Sequence, residues 1–216
     1  MPETLAVHLS VDGGVVRIVL DRPPLNILTI DVMHQLAAAL RDAAARPTTR
    51  VIVLAARGRA FSAGVDVGEH TADNVDRMLT AFHGLCRTLV ATDVPLVAVV
   101  GGPALGGGCE LVALCDIVVA AEDATFGQPE VRVGVFPPVA AAAFPFMLGK
   151  GGLPLLLLGE PVPAARAREL GLVTTVVPAA DLEAAAERIV RQLAGASARS
   201  EEHTSELQSQ SNLVCR

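Results

Sequence analysis

Apolar positions recur along this chain with two different periods, and the switches between them divide it into elements. Val15–Leu20 (VVRIVL) is a β-branched run with the pattern of a strand. Behind it, Ile30, Met33, Leu36, Ala37 and Leu40 fall on one helical face, and the Thr29 hydroxyl can cap the first turn, so a helix is predicted through about Ala45. Val51–Ala55 reads as a second strand, and Val75, Met78, Leu79, Phe82, Leu85 and Leu89 place a second helix within 74–90. Leu96–Val100 and Ile117–Ala121 are two more strands on either side of a short helix at Gly107–Leu114. Leu153–Leu158 and Ala164–Leu170 read as helical, Val173–Val177 as a short strand, and Leu182–Leu193 as a last helix. Strands and helices alternate, which predicts an α/β layout, and 216 residues suffice for one domain with a real core. Apart from the alanine run Ala140–Ala143 there is no low-complexity segment, and no repeat stands out.

Composition changes this picture in two ways. A hydrophobic content of 51% excludes an extended disordered chain and raises the question of a membrane span. The greasiest window, Leu96–Ala121, is long enough to cross a bilayer, but Pro103, Gly106–Gly108, Glu110 and Asp116 interrupt it. That punctuation predicts strand, turn, helix and strand in a buried core, and the first ten residues lack the basic and apolar stretches of a secretory signal. A net charge of −6 and a single lysine, Lys150, argue against nucleic-acid or anionic-membrane partners. The cysteines at 86, 109, 115 and 215 match neither a C-x-x-C pair nor a zinc ligand set. A reduced, cytoplasmic protein without a metal is therefore expected.

From Arg199 the chain turns abruptly polar, RSEEHTSELQSQSNLVCR. Back-translated, 199–209 resemble a short-read sequencing adapter, and 212–216 resemble its continuation after a barcode. Residues 199–216 are accordingly expected to be a non-native tail on a core spanning 1–198, with the native C-terminus missing. His203 and Cys215 are left out of any site for that reason.

Several motifs fail on inspection. AFSAG at 60–64 lacks the first glycine of a nucleophile elbow, and a serine hydrolase built on Ser62 would need a histidine, of which only His70 is near in sequence. Residues 101–108 form no nucleotide-phosphate loop, and His8, His34, His70 and His83 have no ligand spacing. What remains is GGGCE at 106–110, which follows a buried strand and opens a helix. Its glycines admit a ligand to the backbone, and the first helical N–H groups are unpaired. Glu110 lies one turn along on the same face, where it can serve chemistry or simply offset the helix dipole. Glu130 in FGQPE at 126–130 is presented on a turn stiffened by Pro129. The loop AFSAGVD at 60–66 offers further backbone donors.

Together these motifs resemble the crotonase (enoyl-CoA hydratase/isomerase) family over roughly residues 5–190. The landmarks are DRPPLN at 21–26, AFSAGVD at 60–66, GPALGGGCEL at 102–111, CDI at 115–117, FGQPE at 126–130 and ARELGL at 167–172. The resemblance implies a single-domain α/β spiral of ββα units and a homotrimer or dimer of trimers, completed by a C-terminal helical region. It implies that the backbone N–H groups of Val65 and Gly107 hold a thioester oxygen and stabilise an enolate. It implies that Glu110 and Glu130 hold a water between them, Glu110 as base and Glu130 as acid. Ala63, Asp66, Val67, Gly68, Gly106, Gly108 and Pro129 would line the acyl-CoA path. The expected reaction is hydration of an α,β-unsaturated acyl-CoA, with CoA part of the substrate and no separate cofactor. Segments 23–29 and 134–138 resemble cyclic dienoyl-CoA hydratases. A double-bond isomerase and a non-catalytic acyl-CoA-binding paralogue are the alternatives. The stretch PPVAAAA at 137–143 departs from the family's glycine-rich pattern and reshapes the acyl pocket.

Overall fold

The computed structural model describes residues 5–195; the tail at 199–216 lies outside them. Its elements are β1 (Val7–Asp12), β2 (Val15–Leu20), α1 (Ile30–Ala44), β3 (Val51–Ala56), α2 (Val75–Val90), β4 (Leu96–Val100), β5 (Ala104–Leu105) and α3 (Gly107–Ala113). They continue with β6 (Ile117–Ala121), β7 (Thr125–Gly127), α4 (Pro138–Met147), α5 (Leu153–Leu158), β8 (Val162–Pro163), α6 (Ala164–Glu169), β9 (Thr175–Val177) and α7 (Leu182–Ala194). Short 3-10 turns lie at Val67–Glu69 and Pro129–Val133.

The longer strands form a six-stranded sheet in the order β1-β2-β3-β4-β6-β9, parallel except for the β1–β2 hairpin. Strands covered on both faces must be apolar throughout. β3 and β4 meet that condition: Ile52 and Leu54 enter the larger core with α1, α2 and α3, whereas Val51, Val53, Val97 and Val99 enter a smaller one with α7. The helix predicted behind Thr29 is α1, and the Thr29 hydroxyl accepts the Val32 N–H at 3.3 Å.

A second, smaller layer repeats the same step along the chain. Single bridges pair Leu28 with Val65 and Ser62 with Ala104, and β5 then pairs with β7 and β7 with β8. Each unit thus contributes one long strand to the large sheet, a strand of one to three residues to the small one, and a helix. This is the ββα spiral expected from the resemblance.

Several elements differ from expectation. β1 is a strand beyond those predicted, although its residues VHLSVD alternate apolar and polar as a strand's do. The strand expected over Val173–Val177 begins at Thr175, because Val173 is held by the Ala167 carbonyl. The alanine run at 140–143 is the middle of α4, which starts at Pro138, and Pro is well suited to a first helical turn. Glu130 sits in a 3-10 turn opened by Pro129.

Leu36 is fully buried where α1 meets the larger core. Leu36→Ala should cost about 2–5 kcal/mol by cavity formation, and Thr29→Ala only about 1 kcal/mol by loss of a cap. Urea denaturation of both variants checks the ratio.

Candidate active site

Two stretches of backbone meet between loop 60–66 and the start of α3. A Cβ built on Gly64 (φ +100°) would lie 3.0 Å from the Leu105 carbonyl oxygen and 3.4 Å from the Gly107 nitrogen. One on Gly107 would lie 2.9 Å from Val65 Cγ2, and one on Gly108 would lie 2.5 Å from the Ser62 carbonyl oxygen. Only glycine permits so close an approach. Among the described residues, the Val65 and Gly107 N–H groups have no hydrogen-bond acceptor, whereas those of Gly64, Asp66 and Gly106 are engaged. Gly64 O accepts the Leu28 N–H at 2.9 Å and the Asp66 N–H reaches Leu28 O at 3.1 Å, a parallel-bridge pattern that turns the Val65 N–H to the other side. Val65 and Gly107, neither with an acceptor for its N–H, are thus packed against each other.

Glu110 is four residues beyond Gly106 on α3, so the two share a face. Glu130 Oε1 lies against Gly106 where a Cβ would otherwise stand, at a backbone of φ +52°. Glu130 is thus held against the start of α3, whose first turn carries Glu110. Glu110 is only 2% exposed, and its Oε1 accepts the Ala140 N–H at 2.7 Å, with the Val139 N–H also directed at it. The glutamate thus caps α4; the alternative of offsetting the α3 dipole is not its main engagement. α4 begins Pro137-Pro138, so Val139 and Ala140 are the first residues that have an N–H to give.

Burial pushes the Glu110 carboxyl up to about 7, with the Glu130 charge adding to the rise and the α4 N–H donors opposing it. Glu130 is also raised, chiefly by burial, with its own N–H and the nearby His70 opposing. Its Oε2 is buried without a hydrogen-bond partner. The Glu130 charge thus works with burial to hold the Glu110 proton.

The remaining candidates fall into two groups. Asp66, Val67 and Gly68 form a rim: Asp66 Oδ1 accepts the Gly68 N–H at 2.8 Å, and Val67 is 74% exposed. Ala63 is tied back to Leu25 O at 2.9 Å. Gly108 faces Ser62 and serves loop-to-helix packing, and Pro129 opens the turn that carries Glu130. Sequence reasoning missed three contributors. Ala140 holds Glu110, Glu69 Oε2 accepts the Ile30 N–H at 2.9 Å and ties the rim to α1, and His70 lies near Glu130. No sequence signal links 110 to 140. The hydrolase reading of Ser62 fails on geometry: Ser62 is fully buried, and its hydroxyl donates to Asn26 O at 2.7 Å rather than to a histidine. The thiols of Cys86, Cys109 and Cys115 are buried, and burial pushes each far above its ordinary range. Among the described residues no group of three or more His, Cys, Asp or Glu could hold a metal, and no helix is long and apolar enough to cross a membrane.

Fold and site together define a class: an α/β protein of stacked ββα units that sets one buried and one half-buried carboxyl at the glycine-rich start of α3, beside two backbone N–H groups without an acceptor. A family model described as enoyl-CoA hydratase/isomerase matches residues 10–214. The chain is 38% identical over 185 residues to a cyclohexa-1,5-dienecarbonyl-CoA hydratase of Thauera aromatica, covering 85% of this chain and 71% of that protein. It is 39% identical over 198 residues to a probable enoyl-CoA hydratase of Rhizobium meliloti, covering 90% and 74%. A solved enoyl-CoA hydratase from Mycobacterium avium subsp. paratuberculosis superposes with a TM-score of 0.90 at 30% identity, covering 99% of this chain and 88% of that one. The chain belongs to the enoyl-CoA hydratase/isomerase family.

The raised carboxyls make a prediction about stability. The folded protein keeps the Glu110 proton to about pH 7, whereas the unfolded chain releases it near 4.5. Glu110 therefore supports the fold fully below pH 4.5, and that support is lost as pH rises through 7, an effect of about 3 kcal/mol. Glu130 acts in the same direction. Thermal midpoints of the ligand-free protein should fall between about pH 5 and 8, and Glu110→Gln should remove most of the slope.

Proposed function

We propose that this protein is an enoyl-CoA hydratase, adding water across the C2=C3 bond of an α,β-unsaturated acyl-CoA or running the reverse dehydration. What supports the reading is that Glu110 and Glu130 both stand at the glycine-rich start of α3, beside the Val65 and Gly107 N–H groups that have no acceptor. A thioester oxygen at that spot would accept both donors, and their pull grows as the carbonyl becomes an enolate oxygen. Glu110, with one carboxyl oxygen fixed by the α4 N–H groups, takes a proton from the bound water as its oxygen bonds to C3. The C=C π electrons move toward the thioester, and Glu130 delivers a proton to C2, which restores the carbonyl. What supports this division is the asymmetry of the surroundings. Glu110 is held by two N–H donors from the start of α4, whereas Glu130 has only its own N–H and its Oε2 has no partner. CoA enters only as part of the substrate, along the rim at Ala63 and Asp66–Gly68. The likeness of segments 23–29 and 134–138, together with the Thauera relative, supports a cyclic dienoyl-CoA as the first thioester to test. We further propose assembly with copies of itself, supported by the exposed Phe136, Phe146 and Leu157 (67%, 71% and 70%). Sedimentation should show a species larger than a monomer.

Incubation with a panel of enoyl- and dienoyl-CoA thioesters should yield products heavier by one water, read by mass spectrometry. Glu110→Gln and Glu130→Gln should each lower the rate by roughly 10²- to 10⁴-fold while leaving thioester affinity within a few-fold. An unchanged mass with a shifted double bond would make the protein an isomerase. Binding without any conversion would make it a non-catalytic paralogue.

A further inference from the structure

Beneath loop 60–66 lies a buried polar network that touches neither carboxyl. Asn26 is 1% exposed and adopts a left-handed backbone, φ +50°. Its side chain is fully used: Oδ1 accepts the Arg22 N–H at 2.8 Å, and Nδ2 donates to Arg57 O at 2.7 Å and Ala60 O at 2.8 Å. Its own carbonyl accepts the Ser62 hydroxyl at 2.7 Å, and the Ser62 oxygen in turn accepts the Gly64 N–H at 3.2 Å. Ser62 also joins the loop to α3 through its backbone, since its carbonyl accepts the Leu105 N–H at 2.9 Å and packs against Gly108.

The chain of contacts ends at the peptide whose N–H is free. Ser62 fixes Gly64, Leu28 grips Gly64 O and the Asp66 N–H from one side, and Val65 between them has no choice of direction. A loop of small residues would otherwise have several backbone orientations available, and a hydrogen-bond donor aimed at a developing charge loses its effect when it is misdirected. Buried hydroxyls are commonly satisfied somewhere. Here, both bonds of one hydroxyl are spent on the two segments that bracket a single unpaired N–H.

We propose that Asn26 and Ser62 are positioning residues for the thioester-polarising pocket: through Gly64 they set the direction of the Val65 N–H against that of Gly107. The proposal rests on the reading that these two donors hold the thioester oxygen. Neither residue touches the substrate or moves a proton.

The test uses dimethylaminocinnamoyl-CoA, a push–pull thioester whose absorbance moves to the red when its carbonyl accepts strong hydrogen bonds. Ser62→Ala removes both hydroxyl bonds. The bound probe should then lose most of its red shift, and kcat for hydration should fall about tenfold with KM changed less than about threefold. Ser62→Cys, which keeps a weak donor and acceptor, should recover part of the shift; it carries the same test if the alanine variant does not fold. The comparison is Thr49→Ala, which deletes another buried hydroxyl, one that donates to Ala43 O at 2.7 Å far along the chain from the site. That variant should lose stability but keep the shift and kcat. A wild-type shift and kcat in Ser62→Ala, or equal losses in Thr49→Ala, would overturn the proposal. If the wild-type protein binds the probe with no red shift, the pocket reading beneath it fails instead.

Discussion

Loop 60–66 and the first turn of α3 lie side by side with no space for a side chain between them, and the rest of the site is arranged around that contact. It exists because Gly64 and Gly108 present bare Cα atoms to the opposing backbone. Once the two backbones are this close, Val65 and Gly107 stand in contact, each with an N–H that has no acceptor. The open face of Gly106 then leaves room for the carboxyl of Glu130. A methyl group at any of these glycines would push apart the donors or displace the acid. Small residues in this stretch are therefore determined by what must approach them, and the local turn alone does not explain them.

The second constraint is electrostatic. A carboxyl as deeply buried as Glu110 must find donors or hold its proton, and this protein does some of each. The donors come from the start of α4, where two prolines leave Val139 and Ala140 as the first available N–H groups. One contact thus satisfies a helix end that no side chain in its own sequence caps, and fixes one oxygen of the acid. The nearby Glu130 charge limits how far that stabilisation goes, so Glu110 holds its proton well above the usual carboxylate range. The same burial that makes the pair useful makes the ligand-free fold less stable as pH rises.

Much of the larger sheet was legible in advance. Val15–Leu20, Leu96–Val100 and Ile117–Ala121 are strands over the ranges their apolar runs predict, and Leu153–Leu158 is a helix over its predicted range. These segments are either alternating or wholly apolar, and so carry their signal locally. The small layer was not legible. Its strands are one to three residues long, too short for any period, and they exist only because successive ββα units stack. For the same reason the repeat is structural and leaves no mark in the sequence. β1 carries a period-two signal in VHLSVD that local pattern does offer, whereas α4 was hidden by an alanine run with no amphipathic face. Of the site, Glu110 and the glycine-rich helix start stood out, because a carboxyl beside a glycine run is uncommon in an apolar stretch, whereas Glu130 on its Pro129 turn gained weight only from its place among the ordered motifs.

The sequence by itself determined the α/β alternation, the helix beginning at Gly107, both glutamates, and, through six ordered motifs, the family. Each of these depends on residues close together in the chain, where spacing, capping and backbone freedom act directly. Tertiary structure alone decided which partners those residues meet: Ala140 for Glu110, Gly106 for Glu130, and Asn26 for Ser62. Such contacts join positions some 24 to 36 residues apart, and they form only when stacked units bring those segments together, so no local pattern encodes them.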